Sequence, residues 1–260
     1  MLFDTHAHLN DEKFDDDLEE VVSRALSKDV GKILVASYDM DSTRKALDIA
    51  HKYENIFCSV GIHPHQAKDY NESCAQELRQ IIVNNRSKVV AIGETGLDFH
   101  YDFSPRDIQI EVFKKHIELA AAYNLPLIIH DRKAHDDCLA IVTEYAKKNL
   151  LPEAGGVFHC FSGDSNLALK LVELGFYISL AGPVTFKNSR HAGEVVENIP
   201  LERLLIETDC PYLSPEPLRG KRNEPSNVRF IASKIAEILK VPEEKIEKIT
   251  YRNACRLYQV

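Results

Sequence analysis

The chain has 260 residues, 44% hydrophobic and 28% charged, with a formal net charge of −8 at neutral pH. That length supports one substantial core, and α/β barrels of this size commonly form one domain, here expected to span 1–260. The acidic balance excludes the basic stripe of a sequence-independent nucleic-acid binder. No run of about 18 apolar residues offers a membrane span, and the start lacks a basic stretch leading into an apolar core, so a cytoplasmic location is expected.

In chain order, short apolar runs alternate with longer amphipathic ones. Strands are expected at Leu2 to Thr5, Lys32 to Ala36, Ile56 to Val60, Val89 to Gly93, Leu127 to Ile129, Gly156 to Phe158, Phe176 to Ser179 and Leu204 to Glu207. Helices are expected between them at Leu18 to Lys28, Ser42 to His51, Glu72 to Asn84, Pro105 to Tyr123, Ala134 to Lys148, Asn166 to Leu174 and Ser189 to Glu197. Two more follow the last strand, at Ser226 to Leu239 and Pro242 to Tyr258. Eight such units predict an α/β (β/α)8 TIM barrel, with an open doubly wound sheet as the alternative. No strand is followed by a glycine-rich nucleotide-binding loop, and the six cysteines lack paired spacing, which fits reduced packing thiols.

The strand assignment gives the unusual polar residues a common address. His6 and His8 end the first strand, His63 and His65 follow the third, Glu94 the fourth, His130 the fifth, His159 the sixth and Asp209 the eighth. All lie at C-terminal strand ends, the face on which such barrels build active sites. Side chains at i and i+2 of a strand leave one face, so His6 and His8 can converge on one ion. His51, His100, His116, His135 and His191 sit on or beside helices and read as hydrogen-bonded structural residues. Imidazole and carboxylate donors without thiolate suit Zn²⁺, Mn²⁺, Mg²⁺ or Fe²⁺.

Ordered stretches carry a resemblance over nearly the whole chain: LFDTHAHLN at the start, GIHPH at 61–65, IGETGLDF at 92–99, PLIIHDRKAHDD at 126–137, GGVFHCFSGD at 155–164, GPVTFKN at 182–188, LLIETDCPYLSP at 204–215 and RGKRNEPSNV at 219–228. They resemble the TatD-type metal-dependent deoxyribonucleases among the amidohydrolase-like barrel hydrolases. The resemblance implies two divalent cations, one held by His6, His8 and Asp209 and the other by His130 and His159, with Glu94 bridging. It also implies hydrolysis of DNA phosphodiesters by a 3′ exonuclease, with single-stranded ends as substrate and no organic cofactor.

Two cations about 3.5–4 Å apart suit that chemistry, because they make a water acidic and clamp the attacking and leaving oxygens of a phosphodiester. Glu94 stands where many members of the wider superfamily use a carboxylated lysine. Asp209 is expected to combine ligation with general-base work. His63, His65, Arg132 and Arg222 read as phosphate or leaving-group contacts. The alternatives are that Arg132 pairs with Asp131 or Asp136 and that Lys221 and Arg222 form a solvated loop. Asp98 could orient a ligand, Glu224 could orient Arg222 or a histidine, and Tyr101 could stack on a base, whereas Phe99 reads as core.

Two competing functions remain compatible with these residues. Similar barrels hydrolyse C–N or aminoacyl ester bonds, and a closed coordination shell would make the chain a non-catalytic metal-binding scaffold.

Overall fold

Every one of the eight strands pairs in parallel with its neighbour in sequence, in the order β1 to β8. They are β1 (Leu2–Ala7), β2 (Val30–Val35), β3 (Ile56–Val60), β4 (Val89–Asp98), β5 (Leu127–Arg132), β6 (Gly156–Phe158), β7 (Tyr177–Leu180) and β8 (Leu204–Ile206). The computed structural model describes residues 1–260 apart from the side chain of Arg190. A parallel bridge between Ala7 and Cys210 joins the first strand to the last and brings the sheet around to a cylinder. Helices α1 (Leu18–Ser27), α2 (Met40–Lys52), α3 (Glu72–Asn84), α4 (Arg106–Tyr123), α5 (His135–Lys147), α6 (Ser165–Glu173), α7 (Arg190–Asn198) and α8 (Val228–Leu239) follow the strands in turn, and α9 (Glu243–Tyr258) ends the chain. This is a (β/α)8 barrel. No described helix is long and apolar enough to cross a membrane.

The strands are apolar on both faces because both are buried, and alternation sorts their side chains into two cores. In β5, β6, β7 and β8, Leu127, Ile129, Phe158, Ile178, Leu204 and Ile206 belong to the core shared with the helices. Their neighbours Ile128, Val157, Tyr177 and Leu205 join Phe3, Leu34 and Val90 in a second cluster that fills the barrel. Ala254, Leu257 and Tyr258 of α9 complete this inner cluster, with the Tyr258 ring 5.8 Å from that of Phe3. His130 and His159 lie two residues beyond Ile128 and Val157, so each continues an inward-facing row past the end of the apolar filling.

The extents of β3, β6 and α3 coincide with the expected ones, while β1, β4 and β5 run further. β4 continues through Glu94 to Asp98, and β5 through His130 to Arg132, so the backbone around His130 and Asp98 is held by strand pairing, while Glu94 sits at a register shift with its N–H on Ser37 O at 2.7 Å. Gly96 makes the pairing possible: its φ is +132°, and a Cβ there would stand 2.1 Å from the carbonyl oxygen of His130. A side chain at Gly96 would push the two strands apart.

Candidate metal centre

Six side chains from five strand ends meet at the C-terminal mouth. The ends of β1 and β8 are tied together, since Asp209 N–H donates to His6 O at 2.9 Å and His8 N–H to Cys210 O at 2.7 Å. Asp209 itself has a φ of +55°, a left-handed conformation uncommon for an aspartate. Its Oδ1 lies 3.7 Å from His6 Nε2 and 3.4 Å from His8 Nε2. Glu94 stands between two imidazole groups. Its Oε2 is 3.4 Å from His6 Nε2 and 3.6 Å from His8 Nε2, while its Oε1 is 2.8 Å from His159 Nε2 and 3.0 Å from His130 Nδ1.

The hydrogen bonds behind the rings decide which nitrogen faces the centre. His8 Nδ1 lies 3.1 Å from Ala36 O, His159 Nδ1 3.3 Å from Glu207 Oε1, and His130 Nε2 3.2 Å from Asp98 Oδ2. Those oxygens accept, so each ring spends its N–H outward and turns its other nitrogen inward as a lone pair. The inward nitrogens crowd: His6 Nε2 and His8 Nε2 are 3.2 Å apart, and His159 Nε2 and His130 Nδ1 3.3 Å. Lone pairs at such distances from each other and from Glu94 require positive charge between them. Divalent cations suit this donor set.

Without a cation, a second proton on these imidazoles meets the same demand. Burial pushes the Glu94 carboxyl up, but the His159 and His63 imidazoles and the hydrogen bonds with His130 and His159 outweigh it and hold it well below the usual range. Burial works against charge on His8, His130 and His159 too, yet Asp209, Asp98 and Glu94 outweigh it and raise all three. His6 goes the other way, lowered by burial and by its neighbour His159.

Asp98, which could orient a ligand on the sequence reading, stands behind two imidazoles. Its Oδ2 accepts from His130 and, at 2.8 Å, from His65 Nε2, while its Oδ1 accepts the backbone N–H groups of His100 and Tyr101. Burial opposes its ionisation, and the bonds from His130, Tyr101 and His65 hold the carboxyl far below its ordinary value. Glu207 plays the equivalent part behind His159 and also accepts Cys160 N–H at 2.7 Å. It was not singled out from sequence, although it is the acid in LLIETDC two residues before Asp209.

A cleft of about 1080 Å³ opens over the centre. His63, His65, Arg132 and Tyr101 line it. Arg132 makes no ion pair with Asp131 or Asp136 among the described residues; its guanidinium lies 5.0 Å from the centre of the Tyr101 ring. Asp131 instead accepts from His135 Nδ1 at 2.8 Å, and His135 faces the cleft rather than being a purely structural residue. His191 also reaches the cleft. His116 is structural and fully buried, while Phe99 packs against the core.

Arg222 departs from its expected role. Its guanidinium grips Asp17 through bonds of 2.8 and 2.6 Å, donates to Lys13 O and covers the Phe14 ring, and it is absent from the cleft lining. The cause is the acidic run before α1, which captures the loop arginine. Glu224 likewise orients neither Arg222 nor a histidine: Arg24 holds it at 2.8 and 3.0 Å, and Ser226 donates to it.

Imidazole and carboxylate donors gathered at the C-terminal mouth of a (β/α)8 barrel define a metal-dependent hydrolase. Residues 3–259 match the TatD related DNase family, and the chain belongs to it. It is 46% identical over 260 residues to the uncharacterized metal-dependent hydrolase YabD of Bacillus subtilis (strain 168), with both chains covered in full. To the uncharacterized metal-dependent hydrolase YcfH of Escherichia coli (strain K12) it is 37% identical over 263 aligned positions, covering 100% of this chain and 96% of the relative. The crystal structure of YJJV, a TatD homolog from Escherichia coli K12, superposes with a TM-score of 0.93 at 28% identity, covering 100% and 98% of the two chains.

Proposed function

We propose that this TatD-family hydrolase cleaves the phosphodiester bonds of DNA, working from single-stranded 3′ ends at a pair of divalent cations of the Mg²⁺, Mn²⁺ or Zn²⁺ class. The observation that carries the reading is the division of Glu94: one carboxylate oxygen faces His6 and His8, the other His130 and His159. His6, His8 and Asp209 would hold one ion and His130 and His159 the other, with Glu94 spanning both.

When bound, such ions supply Lewis acidity, drawing charge off phosphate oxygens and making a water acidic near neutral pH. The chain's own groups supply the rest. Asp209 takes the proton of the attacking water through Oδ2, its Oδ1 being the oxygen set against His6 and His8. Arg132 and His63 hold and orient the phosphate from the cleft wall, His65 commits its N–H to Asp98 beside them, and Tyr101 offers a ring to an unpaired base. In a protein of net charge −8, affinity for a polyanion is local to this mouth.

The test sets purified protein against 3′-labelled single-stranded DNA, an aminoacyl ester and cytosine and adenine derivatives, each with Mg²⁺ or Mn²⁺ and with chelator. Chelator-sensitive release of 3′ nucleotides supports the nuclease. Turnover confined to the ester or the C–N bond would replace it with the amidohydrolase-type reading, and no turnover of any substrate would leave the scaffold.

A further inference from the structure

By distance alone His63 belongs with the ligands, for Nε2 is 3.4 Å from Glu94 Oε1 and His63, Glu94 and His130 present donor atoms within 4.8 Å of one another. Its hydrogen bonding is the reverse of the other rings'. The backbone N–H of His65 donates to His63 Nδ1 at 3.1 Å, so that nitrogen is an acceptor. A neutral imidazole carries one N–H, and with Nδ1 accepting, the hydrogen must sit on Nε2, facing the centre. Where His8, His130 and His159 turn lone pairs inward, His63 turns a donor inward.

The sequence builds this reversal. A short 3-10 turn, Pro64–Asp69, begins directly after His63. Proline lacks an N–H, so the first donor needing a partner is His65, and the His63 ring caps it as an aspartate or serine would. The backbone is fixed on the way in and out: Ile62 N–H donates to Nε2 of buried His116 at 3.1 Å, His63 N–H to Tyr38 O at 2.9 Å, and Gln66 N–H to His63 O at 2.9 Å. Moving the ring hydrogen to Nδ1 would set two donors against each other.

We propose that His63 is a catalytic hydrogen-bond donor of fixed tautomer, holding an oxygen of the phosphate under attack through Nε2–H, and is not a ligand of the metal centre it adjoins. The donor role follows from the geometry; the identity of the oxygen rests on the nuclease reading above. That N–H stands 3.4 Å from Glu94 Oε1, longer than an ordinary hydrogen bond, and with Glu94 engaged by the cations it would be left to the phosphate oxygen as a donor set in place before reaction.

Long-range proton–nitrogen correlation spectra of ¹⁵N-histidine protein, with His63 assigned by loss of its signal in His63→Gln, report which ring nitrogen carries hydrogen. Expected is hydrogen on Nε2 of His63 both without metal and with saturating Zn²⁺; hydrogen on Nδ1 with metal-shifted Nε2 would overturn the proposal. In His63→Ala the bound metal per chain should equal that of the wild type while kcat on DNA falls about 100-fold at similar KM. His63→Gln, which retains an amide donor, should fall less. Reduced metal content in either variant, or unchanged kcat at full metal content, would refute it. If the wild-type enzyme fails to cut DNA, the nuclease reading and the phosphate assignment fall together, whereas the spectra alone decide between donor and ligand.

Discussion

Single side chains here act through the groups behind them. Asp98 serves His130 and His65 with one oxygen and two backbone N–H groups with the other, so in Asp98→Asn the amide oxygen can keep the backbone pair while its NH2 faces the two rings, which lose their acceptor. Loss of the outward acceptor lets the His130 ring choose the wrong tautomer, and metal affinity measured by calorimetry should weaken about 10- to 100-fold. Asp209→Asn probes a different role. The variant should keep its fold and much of its metal, with turnover reduced about 100-fold or more; near-native turnover would remove Asp209 as the base. The convergence of His6, His8, Glu94, His130, His159 and Asp209 was legible because each directly extends an apolar run whose end sequence marks. Glu207 was not, because an acid closing a strand looks the same whether it faces the mouth or supports a ring. Arg222 misled for a related reason: nothing local shows that Asp17, more than 200 positions earlier, takes its guanidinium.

Elements matter through how closely they approach. Gly96 lets β4 run against β5 at the level of His130, where a Cβ would meet a carbonyl oxygen at 2.1 Å. Gly96→Ala combines that collision with an unfavourable φ and should destabilise by about 1–3 kcal/mol. Because the collision lies between Glu94 and His130, metal affinity should drop along with the denaturation midpoint. Affinity unchanged in a folded Gly96→Ala protein would show that the two strands hold their ligands independently. Strand order and helix placement were readable from alternation, but the lengths of β4 and β5 were not. Glu94, Thr95 and Gly96 interrupt the apolar pattern, and only the ladder to β5 shows that the strand continues through them.

For the molecule as a whole, acid is the informative variable. Burial lowers His116 to about 4, and both of its ring nitrogens are committed, Nδ1–H to Val112 O at 2.8 Å and Nε2 to Ile62 N–H. Between pH 6.5 and 4 the unfolded chain therefore binds a proton that the native state refuses, so stability is full above pH 6.5 and is lost as pH falls towards 4. For His116 alone the loss is on the order of 3 kcal/mol. In metal-saturated protein the ligand imidazoles, which must be neutral to bind, add to it with the same sign. Buried Asp4, raised to about 8, contributes with the opposite sign over the same range, so the His116 share is read as a difference: the gap in denaturant midpoint between wild type and His116→Gln, recorded with excess Mn²⁺, should narrow as pH falls from 6.5 towards 4, and a constant gap would place the His116 proton elsewhere. Removing the metal should also lower the melting temperature at neutral pH, since ions that bind only the folded state stabilise it by mass action.

The knot of bonds joining the first strand to the last also bears on biosynthesis. His6 and His8 leave the ribosome well ahead of the carboxylate that completes their cluster, which is encoded more than 200 codons later, beside the peptide that closes the cylinder. A nascent chain halted anywhere short of residue 209 lacks that donor and the bonds from Asp209 and Cys210 that hold the two histidines in place. The centre is thus assembled only when the barrel is.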